Sequence, residues 1–140
     1  LKLRRKPVVS FATAVLYGSL AGGAPYLMVS LPFGVIMLPR ALLGGEILPL
    51  LLLTAAPLLV AVPIVACATI IIGLPVTAAL NRQGRESAPA YGCIGAVAGA
   101  IVTAAIIFLL DVLDGYWLVP FGALSGAVTA YTWWKLERAP

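Results

Sequence analysis

Long apolar blocks separated by short polar breaks set the pattern of this chain. The first block follows the basic residues Lys2, Arg4, Arg5 and Lys6 and predicts a helix over about residues 8–30. Roughly 23 residues at about 1.5 Å each suffice to cross a hydrocarbon core of ~30 Å. A signal peptide, suggested by the basic start and the small residues Ala21 to Ala24, fits less well because the apolar run continues through Leu31. The chain opens on Leu1, so part of a natural N-terminus is expected to precede it.

Residues 32–45 read as a connection, with turn signals at Leu38-Pro39 and Gly44-Gly45. The stretch is unusually apolar for a loop, with Val35, Ile36, Met37 and Leu38 at its centre. It suits either a segment lying in the membrane interface or a shallow re-entrant turn covered by protein, and the interfacial reading is preferred.

The second block, about residues 47–80, is too long for one upright crossing, reaching roughly 50 Å at helical rise. It also holds Pro49, Pro57, Pro63 and Pro75, each of which removes a backbone hydrogen bond. A kinked, tilted helix is predicted, with a bend at Gly73, Leu74 and Pro75. Residues 81–89 form the clearest loop, polar and broken by Gly84 and Pro89. Two more helices follow, over about residues 90–110 and 118–134, joined by a short acidic turn. Trp117, Trp133 and Trp134 read as aromatic interface anchors. Trp117 and Trp133 stand about 24 Å apart along a helix axis, which matches one thin crossing. The predicted fold is thus an all-α, four-helix antiparallel bundle in the membrane, forming a single domain.

Composition agrees with this. The 140 residues are 62% hydrophobic and 10% charged, with a mean hydropathy of +1.08, whereas soluble domains carry about 25% charged residues. The net charge of +4 does not mark a nucleic-acid partner, because the basic residues sit at helix ends. Lys2, Arg4, Arg5, Lys6, Arg82, Arg85, Lys135 and Arg138 fall on one side of the predicted topology, and only Arg40 on the other. The positive-inside rule then puts both termini in the cytoplasm, in a bacterial inner membrane.

Candidate chemistry is sparse. Histidine is absent, which removes the commonest haem and metal ligand and the base of a Ser-His-Asp site. No Asp, Glu, Lys or Arg falls within the centre of a predicted span, where ion-coupled transporters usually place one. Asp111 and Asp114 sit at a helix end and its turn. Cys67 and Cys93 read as small packing residues. No cofactor, metal or catalytic residue is expected, and the chain is not expected to be an enzyme.

What remains is packing. Gly92, Gly95, Gly99 and Thr103 share one narrow helical stripe, and Gly18 with Gly22, Gly73 with Thr77, and Gly122 with Gly126 repeat the theme. Such stripes let helices approach closely in lipid, where little hydrophobic drive exists between them. With stripes on every helix, their expected role is sealing the protein's own bundle rather than dimerisation alone. Arg82 and Arg85 could hold lipid head groups or a partner's acidic face. The function expected is a non-catalytic accessory or assembly subunit of a larger membrane complex. Its partners would be membrane lipids and other subunits, or further copies of itself. The alternative is a small oligomeric channel or carrier for a neutral or apolar solute.

Overall fold

The computed structural model describes residues 7–82, 84, 87–111 and 113–138, and every element among them is helical. Helix α1 spans Pro7–Gly44. A second rod follows, built from α2 (Ile47–Ala68), a π-helical turn (Thr69–Gly73) and α3 (Leu74–Arg82). Helix α4 covers Ala88–Leu109, and a 3-10 turn (Leu113–Leu118) leads into α5 (Val119–Arg138). Three of these rods, Val8–Gly44, Ile47–Arg82 and Ala88–Leu109, are long and apolar enough to cross a membrane. The last helix, α5, is less apolar because its centre is built from Gly, Ser and Thr and its end carries Lys135, Glu137 and Arg138.

The first rod corrects the expectation for residues 32–45. They form neither a connecting loop nor a re-entrant turn, but continue α1 without a break to Gly44. Pro25, Pro32 and Pro39 all lie inside the helix. Each removes one backbone hydrogen bond, but in an apolar setting abandoning the helix would strand many more polar groups. The real stop is glycine. Gly45 adopts φ +73°, and the Glu46 N–H donates to the Ala41 carbonyl at 3.0 Å. That is the six-to-one bond of a Schellman cap, which needs a left-handed residue just past the helix end.

The second rod carries a π-helical turn at Thr69–Gly73, directly ahead of the Gly73–Pro75 stretch where the sequence suggested a bend. The Leu74 N–H donates to the Thr69 carbonyl, five residues back, immediately ahead of Pro75. The extra residue in that turn relieves the clash of the proline ring with the turn before it. Thr69 and Thr77 spend their hydroxyls on the carbonyls of Val65 and Gly73, at 2.7 and 2.9 Å. At the next connection, Ser87 caps α4 by accepting from the Ala90 N–H at 3.4 Å, with Pro89 in the first turn.

The rods pack in a row, with α2 against α1, α1 against α5, and α5 against α4. Neighbours are antiparallel. Phe11 meets Trp133, and Gly18 lies beside Thr129 and Gly22 beside Ser125. By this register α5 is used up near residue 26 of α1. The remainder of α1, with its share of α2, extends roughly 25 Å further at helical rise. Among the described residues, the second rod makes no close packing along α4 or α5, which leaves the row open between them.

Candidate functional site

Helix α5 is the hub, presenting two adjacent stripes of small residues to two partners. Toward α4 it offers Gly122 and Gly126, which meet Gly99 and Gly95. A Cβ added to any of these four glycines would come closer than 3.0 Å to backbone of the facing helix or to the Thr103 side chain. Toward α1 it offers Ser125 and Thr129, 6% and 5% exposed. Ser125 donates to the Gly18 carbonyl at 2.7 Å, and the Thr129 hydroxyl, turned back to the Ser125 carbonyl at 2.8 Å, fills the space above Gly18. Gly22 stands against the Ser125 side chain, 2.9 Å from where its own Cβ would be.

Two glycines of the proposed stripes lie elsewhere. A Cβ on Gly92 would meet nothing within 4 Å, so this position faces open space. Gly73 belongs to the π turn, and its nearest neighbour is Thr69 Cγ2 of its own rod, at 3.2 Å. Gly92 shares the stripe of Gly95 and Gly99, but it sits a turn before the crossing with α5. Gly73 meets side-chain atoms of its own rod rather than a facing helix.

The aromatic anchors divide in the same way. Trp117 is 56% exposed and packs edge-on against Phe121, with ring centroids 6.1 Å apart. Trp133 turns inward, edge-on to Phe11 at 6.2 Å. Trp134 stacks on Tyr131 at 6.1 Å and lies under the Arg138 guanidinium at 5.6 Å. Its buried indole nitrogen has no hydrogen-bond partner among the described residues. Arg82 ends α3 and is exposed, while Arg85 lies outside the described residues.

A further seam joins α1 to α2 beyond the reach of α5. Between residues 26 and 44 of α1, Leu27, Ser30, Gly34, Met37 and Ala41 are the residues not classed as exposed. Their alternating spacing of three and four is that of a coiled-coil seam. Gly34 lets Thr54 come within 2.7 Å of its missing Cβ, and the Ser30 hydroxyl donates to the Thr54 carbonyl at 3.4 Å. The outer faces of this hairpin carry large apolar residues with no cover: Met28 is 77% exposed, Ile36 71% and Leu43 92%.

The open side of the row forms a cleft of about 120 Å³. One wall is the second rod, from Ile64 through the π turn to Thr77, and the other is made by α4 and α5 from Tyr91 to Thr103 and Gly122 to Trp133. Phe11 of α1 closes part of its depth. No lining residue bears a charge. Around Ile72, Ile94 and Ala98 the cleft runs out into a shallow groove between the rods, flanked by Val97 and Ile101. The π turn at Thr69–Gly73 lies on the second rod's wall, with Thr69, Ile72 and Gly73 lining the cleft. Cys67 and Cys93 are free thiols on exposed faces. No group of three or more His, Cys, Asp or Glu that could hold a metal lies among the described residues.

Compared with known protein families, characterised proteins and solved structures, the chain matches none.

Proposed function

We propose that this protein is a non-catalytic accessory or assembly subunit of a larger complex in a bacterial inner membrane. Its four rods cross the bilayer antiparallel, with both termini and the turn after Arg82 on the cytoplasmic side. Eight of the nine basic residues then lie inside. The α1–α2 hairpin is the part that docks on other subunits.

The observation that carries this reading is the hairpin's length set against its bare outer surface. Helix α1 has 38 residues and is about 57 Å long, nearly twice a hydrocarbon core of ~30 Å. Even at ~40°, the upper end of usual tilts, it would span about 44 Å. Steeper tilt does not help, because α4, with 22 residues and antiparallel to α5, would then be too short to cross. Part of the hairpin therefore leaves the hydrocarbon core with Leu and Ile side chains on its surface, each costing about 1.5–3 kcal/mol if left to water. Cover by apolar helices of another subunit removes that cost.

Purification from the native membrane in mild detergent tests the proposal. Foreign chains should co-purify in fixed stoichiometry and be lost when Ile36 and Leu43 are both replaced by Glu. Recovery of the wild type only as a monomer or homo-oligomer would overturn it.

A second reading, a channel or carrier for a neutral or apolar solute, draws support from the cleft beside the second rod. It predicts solute flux in proteoliposomes that weakens on Gly73→Leu or Pro75→Ala. Flux equal to that of empty vesicles would remove it.

A further inference from the structure

We propose that the cleft between the second rod and the α4–α5 pair binds one acyl chain of an anionic phospholipid, with the lipid phosphate held at the basic end of the bundle. The inference is independent of the docking reading, since the docking surface lies at the far end of the hairpin, around Ile36 and Leu43, away from the cleft walls at Ile64–Thr77.

The chemistry of the walls selects the chain. The cleft has no charged lining residue, and of the six hydroxyl side chains that line it at least four are committed within the protein. Those of Thr69, Thr77 and Thr129 bond to carbonyls of their own rods, and that of Ser125 bonds to Gly18. A solute with several polar groups would leave most of them unpaired there, at a cost of roughly 1–3 kcal/mol each. Water gains too few partners, and apolar cavities of this kind stay dry. The mouth at Ile72, Ile94 and Ala98 opens sideways between two membrane helices, so the apolar species presented to it in abundance is the lipid tail. A helix of a second copy, about 10–12 Å across with its side chains, is the competing occupant of this opening, whose outer groove holds about 400 Å³, and a dimer is a separate outcome of the test.

Charge selects the head group. The cleft reaches Thr77 on the second rod and Trp133 on α5. Just beyond them on the same rods stand Arg82, and Lys135 with Arg138. Arg82 and Lys135 are exposed, and the described carboxylate of that end is Glu137 on α5. A phosphate above the cleft therefore meets net positive charge, and cations near a membrane surface favour anionic lipid.

The test is native mass spectrometry of the full chain released from nanodiscs of equal phosphatidylglycerol and phosphatidylcholine. Wild-type protein should retain one phosphatidylglycerol per chain. Ala98→Phe and Ala68→Phe, which fill the cleft from opposite walls, should each cut retention at least tenfold. Arg82→Gln and Lys135→Gln should keep the bound lipid but lower the preference for phosphatidylglycerol about fivefold each, equivalent to about 1 kcal/mol. If both Phe variants unfold, a Trp117→Phe, Trp134→Phe protein leaves Trp133 as the reporter inside the cleft. Chain-brominated phosphatidylglycerol should quench it more than brominated phosphatidylcholine. Wild type that retains no lipid, Phe variants that retain as much as wild type, or equal quenching by the two lipids would overturn the proposal. So would a dimer that the Phe variants dissociate while no lipid is bound, which would assign the cleft to a second copy.

Discussion

The Ser125 hydroxyl donates a 2.7 Å hydrogen bond to the backbone carbonyl of Gly18, joining two helices 107 positions apart in the chain. Each residue depends on the other's size. Gly18 is bare enough for Ser125 and Thr129 of α5 to reach its backbone, and Ser125 is short enough to place its oxygen there while remaining 6% exposed. In lipid, where apolar surface alone does not draw helices together, this pairing of close approach with a hydroxyl bond is the main adhesive available.

The two residues should therefore respond very differently to substitution. Ser125→Ala removes the bond but keeps the fit, and should destabilise the protein by about 0.6 kcal/mol, the usual worth of such a bond in a membrane bundle. Gly18→Val forces branched carbons into the Thr129 hydroxyl and the Ser125 carbonyl, and should cost more than about 3 kcal/mol by separating α1 from α5. Unfolding in mixed detergent micelles, followed by helical circular dichroism, measures both. Equal losses would show that the bond rather than the contact holds the seam.

Within α4, glycines three and four positions apart should divide just as sharply. Gly99→Leu collides with the Gly122 carbonyl, and Gly95→Leu with Gly126 and Ala130, so either should abolish the α4–α5 pair. Gly92→Leu meets open space and should be neutral, or stabilising by up to about 1 kcal/mol through better helix propensity. The same unfolding measurement ranks the three. A well-folded Gly99→Leu protein would mean that this face looks onto lipid.

Much of this was legible in the sequence, and the exceptions have physical causes. The glycines of α4 and α5 stand out because Gly95 with Gly99, and Gly122 with Gly126, recur at four-residue spacing and so share one helix face. Gly34 has the same job against Thr54, but Pro32 and Pro39 flank it and their usual meaning is a break. That meaning belongs to chains in water, where freed backbone groups find solvent. Here the helix continues through its prolines, and the seam from Leu27 to Ala41 emerges within it. Nor could an all-round apolar rod reveal which face is partnered, because the hydrophobic period that marks a buried face is absent when every face is apolar. The cleft was hidden for a different reason. Gly73 and Pro75 signalled a bend, but the void beside them depends on where α4 stands.

Gly34→Leu tests the hairpin seam by itself. It would drive a side chain into Thr54, whose hydroxyl lies 2.7 Å from the Cβ position, and should splay α1 from α2 while leaving the α4–α5 crossing intact. A short bifunctional maleimide should bridge cysteines placed at Ser30 and Thr54 in a protein whose Cys67 and Cys93 are replaced by Ala, because the Ser30 hydroxyl reaches the Thr54 backbone carbonyl at 3.4 Å. The Leu variant should lower that yield several-fold. An unchanged yield would show that the hairpin does not depend on close approach at Gly34.

Asp111 offers a prediction of the opposite sign. It adopts φ +53° where α4 ends, and its N–H donates to the Phe108 carbonyl at 3.3 Å, so it holds the left-handed position that glycine usually takes beyond a helix. An aspartate tolerates this conformation better than most residues but still pays a steric penalty for its Cβ. The side chain is exposed, so its removal breaks no packing. Asp111→Gly should therefore stabilise the protein by about 0.5–1 kcal/mol, with the gain reduced by the extra freedom of glycine in the unfolded chain. Asp111→Val, whose branched Cβ fits that region worst, should destabilise it by about 1–2 kcal/mol. Thermal unfolding of the two variants beside wild type reads the difference. If Asp111→Gly proved the less stable of the two, the carboxylate itself would be holding the turn, through a contact its backbone geometry does not require.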